Sequence, residues 1–161
     1  MEIQTGDTAP DFTLVTMGAN GPELFTLSEA LKESKVVILF IPMAFTGVCT
    51  EQFCNLSEDL SLYETLGAKV VGISGDSPFS LSVWAEKEGI SFPLLSDYDH
   101  KVTADFGIAY EQFLPEKNLI MGGVPKRSAF VIDQDSKVLY AEVNEIPSNL
   151  PNMEKIKETL A

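Results

Sequence analysis

Metal-binding side chains are scarce in this chain, which has two cysteines and one histidine among 161 residues. A tetrahedral zinc site needs four ligands, and these three residues match no zinc spacing and cannot supply four ligands without carboxylates. We therefore expect no metal site. His100, in the segment Asp97–Lys101, is predicted to be a solvated residue in the first turn of a helix.

Basic residues and long apolar runs are also rare. The 11 lysines and arginines are outnumbered by 24 acidic residues, for a formal net charge of -13, and such a charge repels nucleic acid and anionic lipid surfaces. No apolar stretch approaches the roughly 20 residues of a membrane span, and Met1–Asp7 lacks the basic and apolar regions of a signal peptide. We expect a soluble, cytoplasmic protein with no nucleic-acid or membrane partner.

Hydrophobic residues are plentiful, at 45% of the chain, which suffices for one domain over residues 1–161. Two short segments around a turn rich in glycine, Asp11–Leu14 and Leu24–Thr26, predict a hairpin. Two continuous apolar runs, Val36–Ile41 and Lys69–Ser74, are typical of strands that are buried on both faces. A shorter run, Phe92–Leu95, follows them.

Helical patterns separate these strands. Thr26 and Glu29 have the spacing of a capping box, which predicts a short helix. Apolar residues at three- and four-residue spacing predict one amphipathic helix from Cys49 to about Thr65, ended by Gly67. Later helices are predicted after the Ser77-Pro78 cap, at Lys101–Asp105 and at Met153–Leu160 behind Asn152.

The C-terminal third contains a second hairpin, predicted from Arg127–Ile132 and Lys137–Val143. Strands that alternate with helices and finish in an antiparallel hairpin indicate an α/β fold with a sheet of mixed direction.

The chemistry of the chain is concentrated in Pro42–Cys49, which joins a predicted strand to a predicted helix. Cys49 at a helix N-terminus is near free N–H groups and the positive end of the helix dipole, which favour the nucleophilic thiolate. Thr46 places a hydroxyl within one turn of the sulfur, and Pro42 stiffens the entry and shields the thiol from water. Taken singly, Pro42 is equally explained as a strand end and Thr46 as a helix cap.

The combined spacing Pro42-x-x-x-Thr46-x-x-Cys49 resembles the signature of the peroxiredoxins, which are thiol peroxidases of thioredoxin-like fold. Further blocks resemble that family in the same order, at Gly6–Phe12, Val71–Pro78, Phe92–Asp97 and Arg127–Asp133. The resemblance implies a mixed central sheet flanked by helices, an N-terminal hairpin extension and a reaction that needs no metal, haem or flavin.

The same resemblance assigns roles to two distant residues. It implies that Arg127 approaches Cys49 from a neighbouring strand, stabilises the thiolate and orients the peroxide, and that Gln52 helps to hold the arginine. Without the resemblance, Arg127 would be interpreted as a surface charge at a strand edge, and Gln52 as an ordinary solvent-facing residue of the helix.

Cys54 has two interpretations. Its spacing from Cys49 matches the Q-type, bacterioferritin-comigratory peroxiredoxins, which implies an intramolecular resolving cysteine. In an intact helix the two Cα atoms lie about 8.6 Å apart, whereas a disulfide needs roughly 4.4 to 6.8 Å, so the helix must unwind. The alternative is a structural thiol, because Phe45–Cys49 and Trp84-Ala85 also resemble the AhpE-like subfamily, many of whose members use one cysteine and an external thiol.

The resulting hypothesis is a peroxidase of antioxidant defence that reduces hydrogen peroxide and organic hydroperoxides. The resemblance implies thioredoxin, glutaredoxin or a small thiol as reductant, and a possible homodimer. A thiol-disulfide oxidoreductase is less consistent with the sequence, because Cys-x-x-Cys is absent. A redox sensor, oxidised once and not turned over, stays open.

Overall fold

The computed structural model describes residues 1–161, and its seven strands form one sheet. The strands are β1 (Thr13–Gly18), β2 (Gly21–Thr26), β3 (Lys35–Phe40), β4 (Ala68–Ser74), β5 (Leu94–Ser96), β6 (Arg127–Ile132) and β7 (Val138–Asn144). The helices are α1 (Leu27–Ala30), α2 (Gly47–Glu58), α3 (Leu60–Thr65), α4 (Pro78–Glu88), α5 (Lys101–Asp105) and α6 (Met153–Leu160), with a 3₁₀ turn at Pro115–Lys117. No helix is both long enough and apolar enough to cross a membrane.

The order of strands places three loops at one edge of the sheet. The order is β2-β1-β5-β4-β3-β6-β7, in which β3, β4 and β5 run parallel and the other neighbours are antiparallel. The carboxyl ends of parallel strands meet at the same edge, where open α/β sheets bind ligands. The chain segments after β3, β4 and β5 therefore converge there.

The central strands are buried on both faces, as their continuous apolar sequence predicts. Along β3, Val37 and Leu39 pack into the core beneath α2, α3, α4 and α6, while Val36, Ile38 and Phe40 pack into the core on the opposite face. The alternation follows from the two-residue period of a strand. The mixed α/β, thioredoxin-like fold expected from the sequence is confirmed.

Several local predictions are confirmed. Ser77 caps α4 by accepting the Ser80 N–H, and Gly89 ends that helix in the left-handed region, with φ +68°. Asn152 caps α6 by accepting the Lys155 N–H. Gly67, with φ +77°, follows the end of α3, where the sequence predicted a helix stop.

Two helix predictions are wrong in detail. Thr26 precedes α1 but makes no side-chain capping bond, because its hydroxyl is paired with that of Thr13 across the hairpin at 2.8 Å. The predicted helix from Cys49 to Thr65 is two helices, since the chain turns at Asp59. There the Asp59 N–H bonds to the Leu56 carbonyl, three residues back, which tightens the last turn of α2.

His100 also differs from its prediction. It precedes α5 with φ +60° instead of lying in the first turn, and it is half-buried. Its ring packs against Gly75 and Gly123, and its Nδ1 is shielded from solvent without a hydrogen-bond partner. The glycines leave the space that the ring fills, and no local sequence pattern could indicate that contact.

Candidate active site

Cys49 lies in the first turn of α2, at the edge where the loops converge. Thr46 is the N-cap, so Gly47, Val48 and Cys49 are the first three helical residues. Backbone N–H groups in this turn have no partner within the helix and carry the positive end of its dipole. Cys49 is 1% exposed, so its sulfur lies near this end of the helix in a site with little bulk water.

Arg127, the only arginine in the chain, reaches this sulfur. It begins β6, and the pairing of Phe40 with Ser128 places it beside the end of β3. Its Nη2 donates to Cys49 Sγ at 2.9 Å, Nη1 donates to Gln52 Oε1 at 2.6 Å and Nε donates to the Pro147 carbonyl at 2.9 Å. A guanidinium offers donors in a rigid fork, and three fixed contacts determine its orientation.

The guanidinium is buried, with Arg127 only 2% exposed, and no carboxylate makes a salt bridge with it. Its side-chain partners are a sulfur atom and an amide oxygen. A buried charge is stable only when it is paired and hydrogen-bonded. The site is therefore suited to an anion beside the guanidinium, where Cys49 Sγ lies.

Gln52 is buried as well, at 6% exposed, and is not the solvent-facing residue that the alternative interpretation required. Its Oε1 accepts from Arg127, whereas its Nε2 is buried without a partner. The side chain lies one helical turn after Cys49, so α2 itself holds both the sulfur and the residue that braces the arginine.

Thr46 has a less expected arrangement. Its Oγ1 donates to the Met43 carbonyl at 3.1 Å and makes no capping bond to α2. A hydroxyl has one hydrogen and two lone pairs, so Thr46 presents lone pairs to the cavity in this state. Phe45, immediately before it, adopts φ +65°, a conformation that is costly for a residue with a side chain and is often found at functional sites.

Thr46, Cys49 and Arg127 line a cavity of about 700 Å³, together with Pro42 and Met43. Much of the remaining lining comes from the segment after α5 and the loop after β7, and includes Tyr110, Phe113, Leu114, Leu119 and Ile146. Pro42 is buried where β3 gives way to the loop. The cavity is large enough for an organic substituent beside the sulfur.

Cys54 points elsewhere. Its Sγ donates to the Glu88 carbonyl at the end of α4 at 3.4 Å, and it is only half-buried. Burial, with the negative charges of Glu88 and Glu58, raises the pKa of the Cys54 thiol. Both thiols are free, and four residues of intact α2 lie between them.

The structure therefore brings together Pro42, Thr46, Cys49 and Arg127, and leaves Cys54 outside that group. Sequence reasoning missed the Pro147 carbonyl that holds Arg127 and the Trp84 indole, whose Nε1 donates to Thr50 Oγ1 in α2 at 3.1 Å. Backbone carbonyls leave no mark in a sequence. Trp84 did carry a signal, since Trp84-Ala85 contributed to the AhpE-like resemblance.

Comparison with known proteins agrees with this geometry. The model of the AhpC/TSA family matches residues 5–141. The chain belongs to the AhpC/TSA family. Peroxiredoxin Bcp of Escherichia coli K12 is 37% identical over 136 residues, which cover 84% of this chain and 83% of that protein.

Two further relatives extend the comparison. Alkyl hydroperoxide reductase E of Mycobacterium bovis is 31% identical over 145 residues, or 89% of this chain and 87% of its own. The crystal structure of peroxidoxin BcpB from Mycobacterium tuberculosis aligns with a TM-score of 0.82 and 32% identity, covering 99% of this chain and 97% of that one. Membership of this family makes the chain a peroxiredoxin, a thiol peroxidase among the oxidoreductases.

Proposed function

We propose that this AhpC/TSA-family chain reduces hydrogen peroxide and organic hydroperoxides, with Cys49 as the attacking thiolate. The observation that carries this assignment is the 2.9 Å contact from Arg127 Nη2 to Cys49 Sγ in a cavity that also contains Thr46. A cation fixed beside a nearly buried sulfur stabilises the anionic nucleophile. The fork of the same guanidinium also has a geometry that can orient an oxygen of the bound peroxide.

In the first step the Cys49 thiolate attacks the terminal oxygen of ROOH. The S–O bond forms as the O–O bond breaks, giving Cys49–SOH and RO⁻, which takes up a proton and leaves as ROH. Thr46 lone pairs accept the hydrogen of the attacked oxygen. Negative charge moves from sulfur to the leaving oxygen, where Arg127 and the Val48 and Cys49 N–H groups stabilise it.

In the second step Cys54 attacks the sulfenic acid, which yields a Cys49–Cys54 disulfide and water. Three features favour the unwinding of α2 that this step needs. The first turn lacks a side-chain cap and an acidic residue, and it starts at Gly47. Thioredoxin, glutaredoxin or a small thiol then supplies two electrons and two protons to restore both thiols.

The antioxidant cycle is tested by peroxide consumption with a thioredoxin system present. Cys49→Ser abolishes consumption, whereas Cys54→Ser still completes one turnover and forms the sulfenic acid. Retained consumption by Cys49→Ser contradicts the nucleophile assignment. A single oxidation with no sustained consumption by the unaltered chain identifies a redox sensor instead.

The role of Cys54 is tested by mass spectrometry after one equivalent of peroxide. We expect a mass loss of two hydrogens from an intramolecular disulfide, confirmed by a peptide that links Cys49 with Cys54. Sulfenic or sulfinic acid on Cys49 without a disulfide contradicts the assignment and leaves resolution to an external thiol.

A further inference from the structure

A carboxylate outside the sequence signature holds the active-site loop. Asp76 follows β4 and reaches 32 residues back along the chain, where its Oδ2 accepts the Ala44 N–H at 2.7 Å. The same oxygen accepts the Ser74 hydroxyl at 2.7 Å, and that hydroxyl accepts the Asp76 N–H at 3.2 Å. The Ser96 hydroxyl at the end of β5 donates to the Asp76 carbonyl at 2.6 Å.

The position of Asp76 is thus fixed by two parallel strands. Ser74 is 1% exposed and Ser96 is 3% exposed, so solvent competes little for their hydrogen bonds. The loop from Pro42 to Thr46 belongs to no helix or strand, and none of the backbone hydrogen bonds is donated by Ala44. The carboxylate is therefore the group that satisfies and directs this N–H.

The contact acts on Thr46 through one peptide unit. The Ala44 N–H and the Met43 C=O belong to the same planar group and point in opposite directions. Asp76 binds the N–H, and the Thr46 hydroxyl donates to the C=O at 3.1 Å. Orientation of this peptide by Asp76 therefore decides where the hydrogen of Thr46 points and which side of its oxygen faces Cys49.

The backbone conformation of Phe45 makes it necessary that Asp76 holds this peptide. Phe45 lies between the peptide that Asp76 holds and Thr46. Its φ of +65° is a conformation that persists only where the surroundings impose it. If the Ala44 N–H were released, the loop could relax to an ordinary conformation and turn the Met43 carbonyl away from Thr46.

We propose that Asp76 is a positioning residue for peroxide reduction, which holds the Met43–Ala44 peptide so that Thr46 offers lone pairs to the bound hydroperoxide. The inference rests on the proposed function of Cys49 and Thr46. Asp76 acts through the peptide and does not touch the sulfur or the substrate.

The test compares peroxide reduction with alkylation of Cys49, both in a Cys54→Ser background. Peroxide reduction is measured with excess dithiothreitol, which reduces the Cys49 sulfenic acid so that the variant turns over, and alkylation is measured without it. Alkylation by iodoacetamide needs the thiolate but no oriented hydroxyl. Asp76→Ala lowers kcat/KM for hydrogen peroxide on the order of 100-fold while alkylation changes less than about twofold. Asp76→Asn, whose amide oxygen still accepts the Ala44 N–H, restores the rate to within about threefold.

A double-mutant cycle with Thr46→Val separates positioning from general loss of structure. Thr46→Val and the Asp76→Ala/Thr46→Val pair have equal kcat/KM if Asp76 acts through this hydroxyl, and a further loss in the pair overturns the proposal. Thr103→Val, which removes the 2.7 Å bond to buried Asp97 in the adjoining segment, is the matched control with unchanged kcat/KM.

If Asp76→Ala does not fold, the test uses Ser74→Ala instead, because this variant removes a hydroxyl that holds the carboxylate. We expect a loss of about tenfold in kcat/KM, and an unchanged rate overturns the proposal. Failure of the proposed function is distinguishable from failure of the Asp76 assignment, because the proposed function fails when Cys49→Ser still consumes peroxide. The Asp76 assignment fails when Cys49 is essential and Asp76→Ala remains fully active.

Discussion

Cys49 and Cys54 are in one helix, five residues apart, and have opposite surroundings. Cys49 is buried in the first turn and contacts a guanidinium. Cys54 is half-buried and donates to a carbonyl, and burial together with the charges of Glu88 and Glu58 raises the pKa of its thiol. One thiol therefore lies against a cation, whereas the surroundings of the other favour its neutral form.

The chemistry of a cysteine thus depends on the tertiary partners that surround its thiol. Unwinding of the first turns would remove Cys49 from Arg127 and Cys54 from Glu88 together. The contacts that hold Cys49 beside Arg127 thus also oppose disulfide formation, and the two steps of the proposed cycle need different states of the same helix.

The largest expected effect comes from removing the guanidinium. Arg127→Lys keeps a positive charge but cannot make the three contacts to Cys49, Gln52 and Pro147 together. We expect kcat/KM for peroxide to fall on the order of 100-fold, measured by stopped-flow kinetics. Lys126→Met, which breaks an adjacent pair with Glu145, is the control with a nearly normal rate. A normal rate for Arg127→Lys would show that charge alone suffices.

The second prediction concerns pH and the Cys54 step. Because its pKa is raised, Cys54 has less thiolate near neutral pH than an ordinary cysteine, and the rate of disulfide formation after oxidation increases about tenfold per pH unit below that pKa. The raised pKa stabilises the folded helix below the ordinary thiol pKa. That stabilisation is lost as pH rises through the folded value, so high pH also favours unwinding. A rate independent of pH contradicts attack by a Cys54 thiolate.

A third prediction concerns a variant that weakens the attachment of α2 to α4. Thr50→Val removes the acceptor of the Trp84 indole N–H and leaves that donor buried, since Trp84 is fully buried. We expect a loss of about 1 kcal/mol in the free energy of unfolding and disulfide formation roughly fivefold faster. Urea unfolding and quenched-flow alkylation measure the two effects. Thr65→Val, which removes an exposed bond to Ser61, should change neither appreciably.

The smallest effect is expected from removing the charge of one carboxylate near Cys54. Glu88→Gln removes a charge that raises the pKa of Cys54 while keeping the backbone carbonyl that binds its thiol. Disulfide formation at pH 7 should be about twofold faster. Glu86→Gln makes the same charge change at an exposed position of α4 and serves as the control. Equal rates for both variants would show that the charge of Glu88 does not raise the pKa of Cys54.

Much of this molecule could be predicted from local pattern. Continuous apolar runs identified β3 and β4, and the caps at Ser77 and Asn152 located the starts of α4 and α6, because these signals depend on neighbouring residues. The break at Asp59 could not be predicted, since the apolar spacing continues across it. The burial of His100 depends on glycines far along the chain.

The active site divides in the same way. The sequence determined that Cys49 follows a strand and begins a helix, and that Thr46 lies one turn away, because both depend on spacing within a few residues. The family resemblance implied that Arg127 approaches Cys49, but only the folded structure gives its contact with the sulfur, the Pro147 carbonyl that holds the arginine and the Asp76 carboxylate that holds the loop. These contacts join segments through the pairing of β3 with β4 and β6 and through the loop after β7, and strand pairing is set by packing of the whole sheet.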